Sequence, residues 1–521
     1  MFKRRLKLVL KVLLASFVLL FVFLLFERVR GQVSLTRYKR ALMAQGEILD
    51  INKLTPPPDS STNNGAPELL RLATMLPEDS SLRNYPPPRM RLVAAGKAMV
   101  GFREEAWVDD KKTNSWGTVA SALATNRQIL AEARAALERP KLVNNLDYSR
   151  GWEMLLPHLS KDKYLCFCFV AQAQLALRNG NNQEALDNLL ASADLLKALE
   201  NDHVLISELV RGAIAHINLE ITWEALQAGP WTGEQLRQLQ QAWEKNTFIT
   251  NLVSSLEGER LLGESTYDKL SAADLNVFFG GGMRGIGDSR ETLSWWNTHL
   301  KEKPPREELG LMIFEALLST HPTRNAYCHI LRFAWLAQDE ERYLRVMQQL
   351  IQVARAVNER KSTTEIGGLL DRLNDTWRLR NGYDFMRFSV SWMLLESTPQ
   401  QAGKVLRSET ARSLSITAIA LKRYELHYHQ PAPNLRALVP DFISAVPTDY
   451  LDGQPIKYRM NPDGTGLLYS VGEDGKDDGG NPALTDAKME YRWIWSGKDA
   501  VWPSLASQEE IETWRKNNSK N

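Results

Sequence analysis

Cysteine is scarce, with Cys166, Cys168 and Cys328 the only three in 521 residues. A chain of this length buries enough surface to fold without covalent staples, so a disulfide scaffold is excluded. Charge of one sign is also lacking: 64 basic residues stand against 62 acidic ones, a formal net charge of +2. A generic nucleic-acid binder concentrates positive charge on one face, so no nucleic-acid partner is expected. No H-E-x-x-H, G-x-S-x-G or G-x-x-x-x-G-K-[ST] occurs, which removes the main support for zincins, elbow hydrolases and P-loop enzymes. The histidines are scattered, and His216 with Glu220, four residues apart, reads as an ordinary surface pair. Cys166 and Cys168 would point to different faces of a helix, so they read as small buried hydrophobes.

What the chain does have is one long apolar run. Leu6–Phe26 is interrupted only by Lys7, Lys11 and Ser16. As a helix it reaches about 31 Å, enough to cross a hydrocarbon core with the two lysines snorkelling outward. A cleaved signal peptide shares the basic leader and apolar centre. However, Glu27-Arg28-Val29-Arg30 follows where small residues are needed for cleavage. The run is therefore read as an uncleaved anchor in contact with membrane lipid. Lys3, Arg4, Arg5, Lys7 and Lys11 on one side balance Arg28, Arg30, Arg37, Lys39 and Arg40 on the other, so the positive-inside count is tied. A short basic tail stays in the cytoplasm while a long following domain translocates, which places the body outside.

Composition divides the rest. Residues 1–31 are tail and anchor. Residues 32–114 comprise a membrane-proximal helix, Ser34–Ile51, and a segment broken by Pro56-Pro57-Pro58 and Pro86-Pro87-Pro88. Residues 115–402 carry helical periodicity throughout. Leu186, Leu189, Leu190, Ala193 and Leu196 share one face, and Asn179-Gly180-Asn181-Asn182 is the turn before them. This joint resembles that of tetratricopeptide-like helical hairpins, and a second is expected at Ala337-Gln338-Asp339-Glu340. No clean period of about 34 residues recurs, so the body is read as irregular stacked hairpins. Loops are expected at 279–287, which formally satisfies G-x-G-x-x-G without a βαβ setting, and at 303–306. Residues 403–500 form a small α+β unit and 501–521 a polar tail. The fold class is thus mainly α.

In the α+β unit a helix, Ser413–Gln430, presents Leu414, Ala418, Leu421 and Tyr428 on one face. Strands Pro455–Met460 and Gly466–Val471 flank the turn Asn461–Thr465, and Tyr491–Trp495 offers another strand. Three runs carry a resemblance: Ala420-Leu421-Lys422-Arg423-Tyr424 through Leu438-Val439-Pro440, Val446-Pro447-Thr448-Asp449-Tyr450-Leu451-Asp452-Gly453-Gln454-Pro455-Ile456-Lys457-Tyr458, and Leu468-Tyr469-Ser470-Val471-Gly472-Glu473-Asp474-Gly475. Together they resemble the globular part of the major pseudopilins of type II secretion, over about 80 residues. The prepilin-peptidase site of that family is missing, and the anchor lies about 400 residues upstream. The whole arrangement resembles large single-pass bacterial envelope proteins. It implies the inner membrane as the location and a protein partner. The readings it leaves open are a non-catalytic interaction surface, an accessory part of a secretion or pilus-like machine, and an enzyme of unrecognised type. The loop Gly472–Gly480 crowds carboxylates onto flexible backbone, and the resemblance implies a structural calcium ion held by Asp474, Asp477 and Asp478.

The topology is testable. A reporter fused after Asn521 should be active only if it folds outside the cytoplasm. Activity of a reporter that works only inside the cell would overturn the orientation.

Overall fold

The computed structural model describes residues 2–78, 80–109, 112–282, 314, 318–361, 363–379, 381–395, 398–485 and 493–518. Helix dominates, and the first helix sets the frame. α1 (Phe2–Ala44) absorbs both the anchor and the stretch expected as a separate helix from Ser34. No proline or capping residue breaks 27–44, so the helix propagates until Gly46 turns the chain at φ 83°. It is long and apolar enough to cross a membrane, and the apolar window is unburied. Beyond Phe26 a stripe goes inward: Glu27, Gly31 and Leu42 are buried, and Leu35 and Tyr38 half-buried.

The body is built mainly from α2 (Pro157–Arg178), α3 (Asn182–Ala198), α4 (Leu205–Leu226), α5 (Gly233–Glu244), α6 (Ile249–Lys269), α7 (Leu336–Asn358) and α8 (Thr398–Tyr428), with Thr363–Trp377 packed on α7. α2 and α3 form a hairpin closed by Gly180 at φ 72°. α4 is the central element, packed on α2, α3, α6 and α8, with Ile214, Ala215, Ile221 and Trp223 fully buried. α6 lies along α7, and α7 along the inner stripe of α1. Gly31 permits that approach, because a β-carbon there would lie 2.7 Å from Gln338 Cγ.

Several expectations are corrected. Ala337–Glu340 is no turn: His321–Ile330, a π-helical stretch Leu331–Trp335 and α7 run on as helix. Its polar residues face buried partners rather than solvent. Gly280–Gly282 ends a helix that starts at Ala272, while Met283–Gly287 and 303–306 lie outside the described residues. Trp495 sits in a 3₁₀ turn, Ile494–Ser496, and Tyr491 lies outside the described residues. Tyr428 is 45% exposed, whereas Tyr424 is buried. The expected start of the α+β unit at 403 falls inside α8, which packs between α4 and α5.

Strands were expected only near the C-terminus, yet four lie within 91–115. β1 (Arg91–Ala94) pairs antiparallel with β2 (Lys97–Met99), and β3 (Ala106–Asp109) with β4 (Lys112–Ser115). β5 (Lys457–Met460) and β6 (Gly466–Ser470) pair antiparallel with Tyr458 opposite Leu468, and β7 (Ala500–Val501) joins β6. The expected polar tail supplies β8 (Ser504–Leu505), parallel to β2. One connected apolar core runs from Leu69 to Ala500, across the boundaries drawn from composition.

Glu409 of α8, fully buried, accepts hydrogen bonds from the N–H groups of Phe248 (2.6 Å) and Ile249 (3.2 Å), capping α6 from another helix. Glu409→Ala should therefore destabilise the full chain by about 2 kcal/mol in denaturant titration. Glu409→Gln keeps an acceptor and should cost less. Equal losses would show that packing rather than capping fixes this contact.

Candidate functional site

The three carboxylates expected to hold calcium are not brought together. Asp474 Oδ1 accepts from its own turn, at Lys476 N (3.0 Å). Asp477 Oδ1 accepts from Gly479 N (2.9 Å) and the Tyr469 hydroxyl (3.1 Å). Asp478 contributes its N–H, which donates to Asp499 Oδ1 at 3.3 Å. Asp499 organises the loop: fully buried, it also accepts from Gly480 N (2.8 Å) and Asn481 N (2.7 Å). Among the described residues no group of three or more His, Cys, Asp or Glu side chains is arranged to hold a metal ion. Reading the crowded carboxylates missed Asp499, some twenty residues on.

One group of buried polar side chains in the body gathers around Asp202. Asp202 Oδ2 meets His158 Nε2 at 2.7 Å and accepts from Ser207 Oγ at 2.7 Å, while Oδ1 accepts from Asn144 at 2.9 Å. Its carbonyl takes the Tyr148 hydroxyl at 2.8 Å. Burial pushes the neighbouring Asp162 carboxyl up to about 7. Burial disfavours the His158 imidazolium, but the Asp202 contact outweighs it and raises the ring above its ordinary value. The result is a clamp between α2 and the turn before α4. Cys166 and Cys168 are buried and unbridged, and burial lifts the Cys166 thiol to about 11, which leaves it protonated and inert. His216 makes no pair with Glu220. Its Nδ1 bonds Gly212 O (2.8 Å) and its Nε2 receives the Trp495 indole N–H (2.9 Å), while Glu220 takes Arg89 (2.8 Å).

The remaining concentration of charge lies where α1 meets the body. Glu27 follows the apolar run directly and is 3% exposed. Its Oε2 accepts from Arg30 (2.8 Å), Gln338 (2.9 Å) and the Tyr383 hydroxyl (2.7 Å). Lys39 reaches Glu264 (2.7 Å) on α6 and Glu340 (2.6 Å) on α7. Past the turn, Glu47 accepts from Arg260 (3.1 Å), Arg355 (2.6 Å) and Gln348 (2.8 Å). These contacts fasten about 25 Å of helix beyond the span to α6 and α7. No single position in sequence signalled them, because every partner except Arg30 lies more than 200 residues away. No protein family, curated protein or solved structure matches the chain.

Glu47 gives the junction a pH signature. Burial raises its carboxyl, but hydrogen bonds from Arg355 and Gln348 and the Arg260 charge outweigh it and bring it down to about 2 from 4.5. The folded chain thus binds fewer protons than the unfolded one between those values. The stabilisation is complete above pH 4.5 and disappears as pH falls toward 2, amounting to at most about 3 kcal/mol. Glu47→Gln should flatten the loss of stability between pH 5 and 3 in acid titration of the solubilised chain. An unchanged acid limb would remove Glu47 from the junction's energetics.

Proposed function

We propose that this chain is a non-catalytic, single-pass envelope protein whose helical body, outside the cytoplasm, offers a surface to a protein partner. The observation that carries this reading is the bonded junction: α1 leaves the apolar run and continues into the body without a hinge. Glu27, Lys39 and Glu47 are fastened to α6 and α7. Such a junction presents the body at a fixed orientation above the membrane, which suits docking and contributes nothing to chemistry on a small molecule. The surface we favour is a groove of about 540 Å³ between the β1–β2 turn, α8 and the β5–β6 hairpin. Gly96, Glu425, Tyr458, Asp463 and Trp502 line it, so it offers both charged and aromatic groups. The irregular hairpin stack of the body is in keeping with a tetratricopeptide-like ancestry, for which the α2–Gly180–α3 joint speaks.

A second reading is an accessory role in a type II secretion or pilus-like machine. It draws on the resemblance of 420–475 to pseudopilins, and on α8 being followed by an antiparallel hairpin and a third strand. A photoreactive residue placed at Glu425 or Asp463 in intact cells should trap one protein adduct of defined mass. A pseudopilus component in that adduct would favour the second reading. Failure at both positions to trap any protein would sink the interaction surface.

A further inference from the structure

A cleft of about 470 Å³ opens beside α1 just past the apolar run. Arg30 of α1, Arg342 and Arg345 of α7, and Arg378 and Arg387 line it. Two carboxylates, Glu341 and Asp384, share the lining and Glu27 pairs with Arg30 at 2.8 Å, which leaves an excess of two positive charges. The guanidinium groups are held in place. Arg342 donates to Trp377 O (2.7 Å) and Ser391 Oγ (2.8 Å), and Arg345 is paired with Glu341 (2.6 Å) and lies over the Tyr38 ring at 4.1 Å. Arg387 is paired with Asp384 (2.8 Å) and lies over Phe388 at 4.3 Å, yet its buried Nε has no hydrogen-bond partner.

The depth of the cleft narrows the ligand. Arg30 lies four residues beyond Phe26, about 6 Å along the helix, and the headgroup layer on each side of a bilayer is about 5–8 Å thick. Aromatic contacts fix the level independently. Phe333 stacks on Phe21 at 6.4 Å and Tyr383 tilts onto Phe23 at 6.4 Å, so the body beside the cleft reaches residues well inside the span. Arg28 lies over Phe333 at 4.9 Å, as expected of a cation and ring at an interface. Guanidinium groups bond bidentately to the two non-bridging oxygens of a phosphodiester.

We propose that this cleft binds the phosphodiester of an anionic phospholipid headgroup from the leaflet through which α1 leaves. The proposal rests on α1 being a membrane anchor. Bound lipid would tie Arg30 of the stalk to Arg378 and Arg387 across the cleft, and a lipid without a cationic headgroup makes that link better because the arginine excess repels choline.

The test uses the full chain, purified in detergent and reconstituted in nanodiscs of phosphatidylcholine with or without phosphatidylglycerol, with native mass spectrometry of retained lipid. Phosphatidylglycerol should be retained about tenfold in preference to phosphatidylcholine, because the guanidinium groups repel the choline cation while both lipids offer the same phosphodiester. Arg345→Gln with Arg378→Gln should bring that ratio to about one, while the helical circular dichroism signal stays unchanged. Arg345→Lys should keep part of the preference. No preference in the unmodified chain would overturn the proposal, whatever the variants do. If inorganic phosphate or glycerol phosphate stabilises the chain in neutral discs as well as phosphatidylglycerol does, the lipid source is overturned. Release of the chain from washed membranes by alkaline carbonate would instead overturn the anchor itself.

Discussion

Carboxylates of one element that accept main-chain N–H groups of another hold this chain together. Glu224 in α4 takes the N–H of Met90 (2.8 Å) and Gly101 (2.6 Å), joining the β1–β2 hairpin to the central helix. Glu409 does this for the start of α6, and Asp339 for Val390 and Ser391, both at 2.9 Å, at the start of Ser389–Leu395. A buried helix end leaves N–H groups that no neighbouring residue can satisfy, and a carboxylate can satisfy two at once. The cost is a charge out of water: burial pushes Glu224 up to about 7 and Asp339 up to about 6, against the bonds that pull them back. Each contact joins segments 51 to 161 residues apart, so the fold is specified by non-local pairs.

That chemistry also explains what the sequence conceals. The apolar run and the amphipathic faces are legible, because a 3.6-residue period needs only local reading: Leu186, Leu189 and Leu196 are buried on α3. The polar run at Ala337–Glu340 is ambiguous, since an aspartate that caps a distant helix looks like one that faces water. Ser34 looks like a helix start, yet nothing before it stops α1. β1 and β2 are four and three residues long, too short for an alternation to register. In the candidate sites the visible residues were the exposed ones. Asp474, Asp477 and Asp478 crowd a loop whose shape depends on buried Asp499, and Glu27 and Glu47 reveal themselves only through partners on α6 and α7.

The two ends of the body close on each other. Ser504 pairs beside Lys97, and the Trp223 indole N–H donates to Pro503 O at 2.7 Å in the interior. The groove proposed as a docking surface is lined by both segments, Gly96 and Trp502 among its residues, with Ser504 N bonded to Gly96 O at 3.0 Å. Its shape therefore exists only once the last twenty or so residues have been placed, and contacts of such long sequence separation form late. A chain shortened before Trp502 would carry α1–α8 but lose the C-terminal helix Gln508–Asn518 and part of the lining of that surface.

The unbroken α1 has a geometric consequence of its own. Forty-three helical residues give a rod about 65 Å long, with 100° of turn for each residue. With α1 in a membrane as proposed, the packing of the stripe from Glu27 to Leu42 on α7 means that the bearing of the body about the membrane normal is written in residue count. One residue added between the apolar run and Glu27 would lift the body by about 1.5 Å and swing it by about 100° relative to the membrane-embedded face. Seven added residues would nearly restore the bearing, at a height about 10 Å greater. The linker therefore works as a ruler and a dial together, and any partner embedded in the same membrane meets a body whose height and heading are both set.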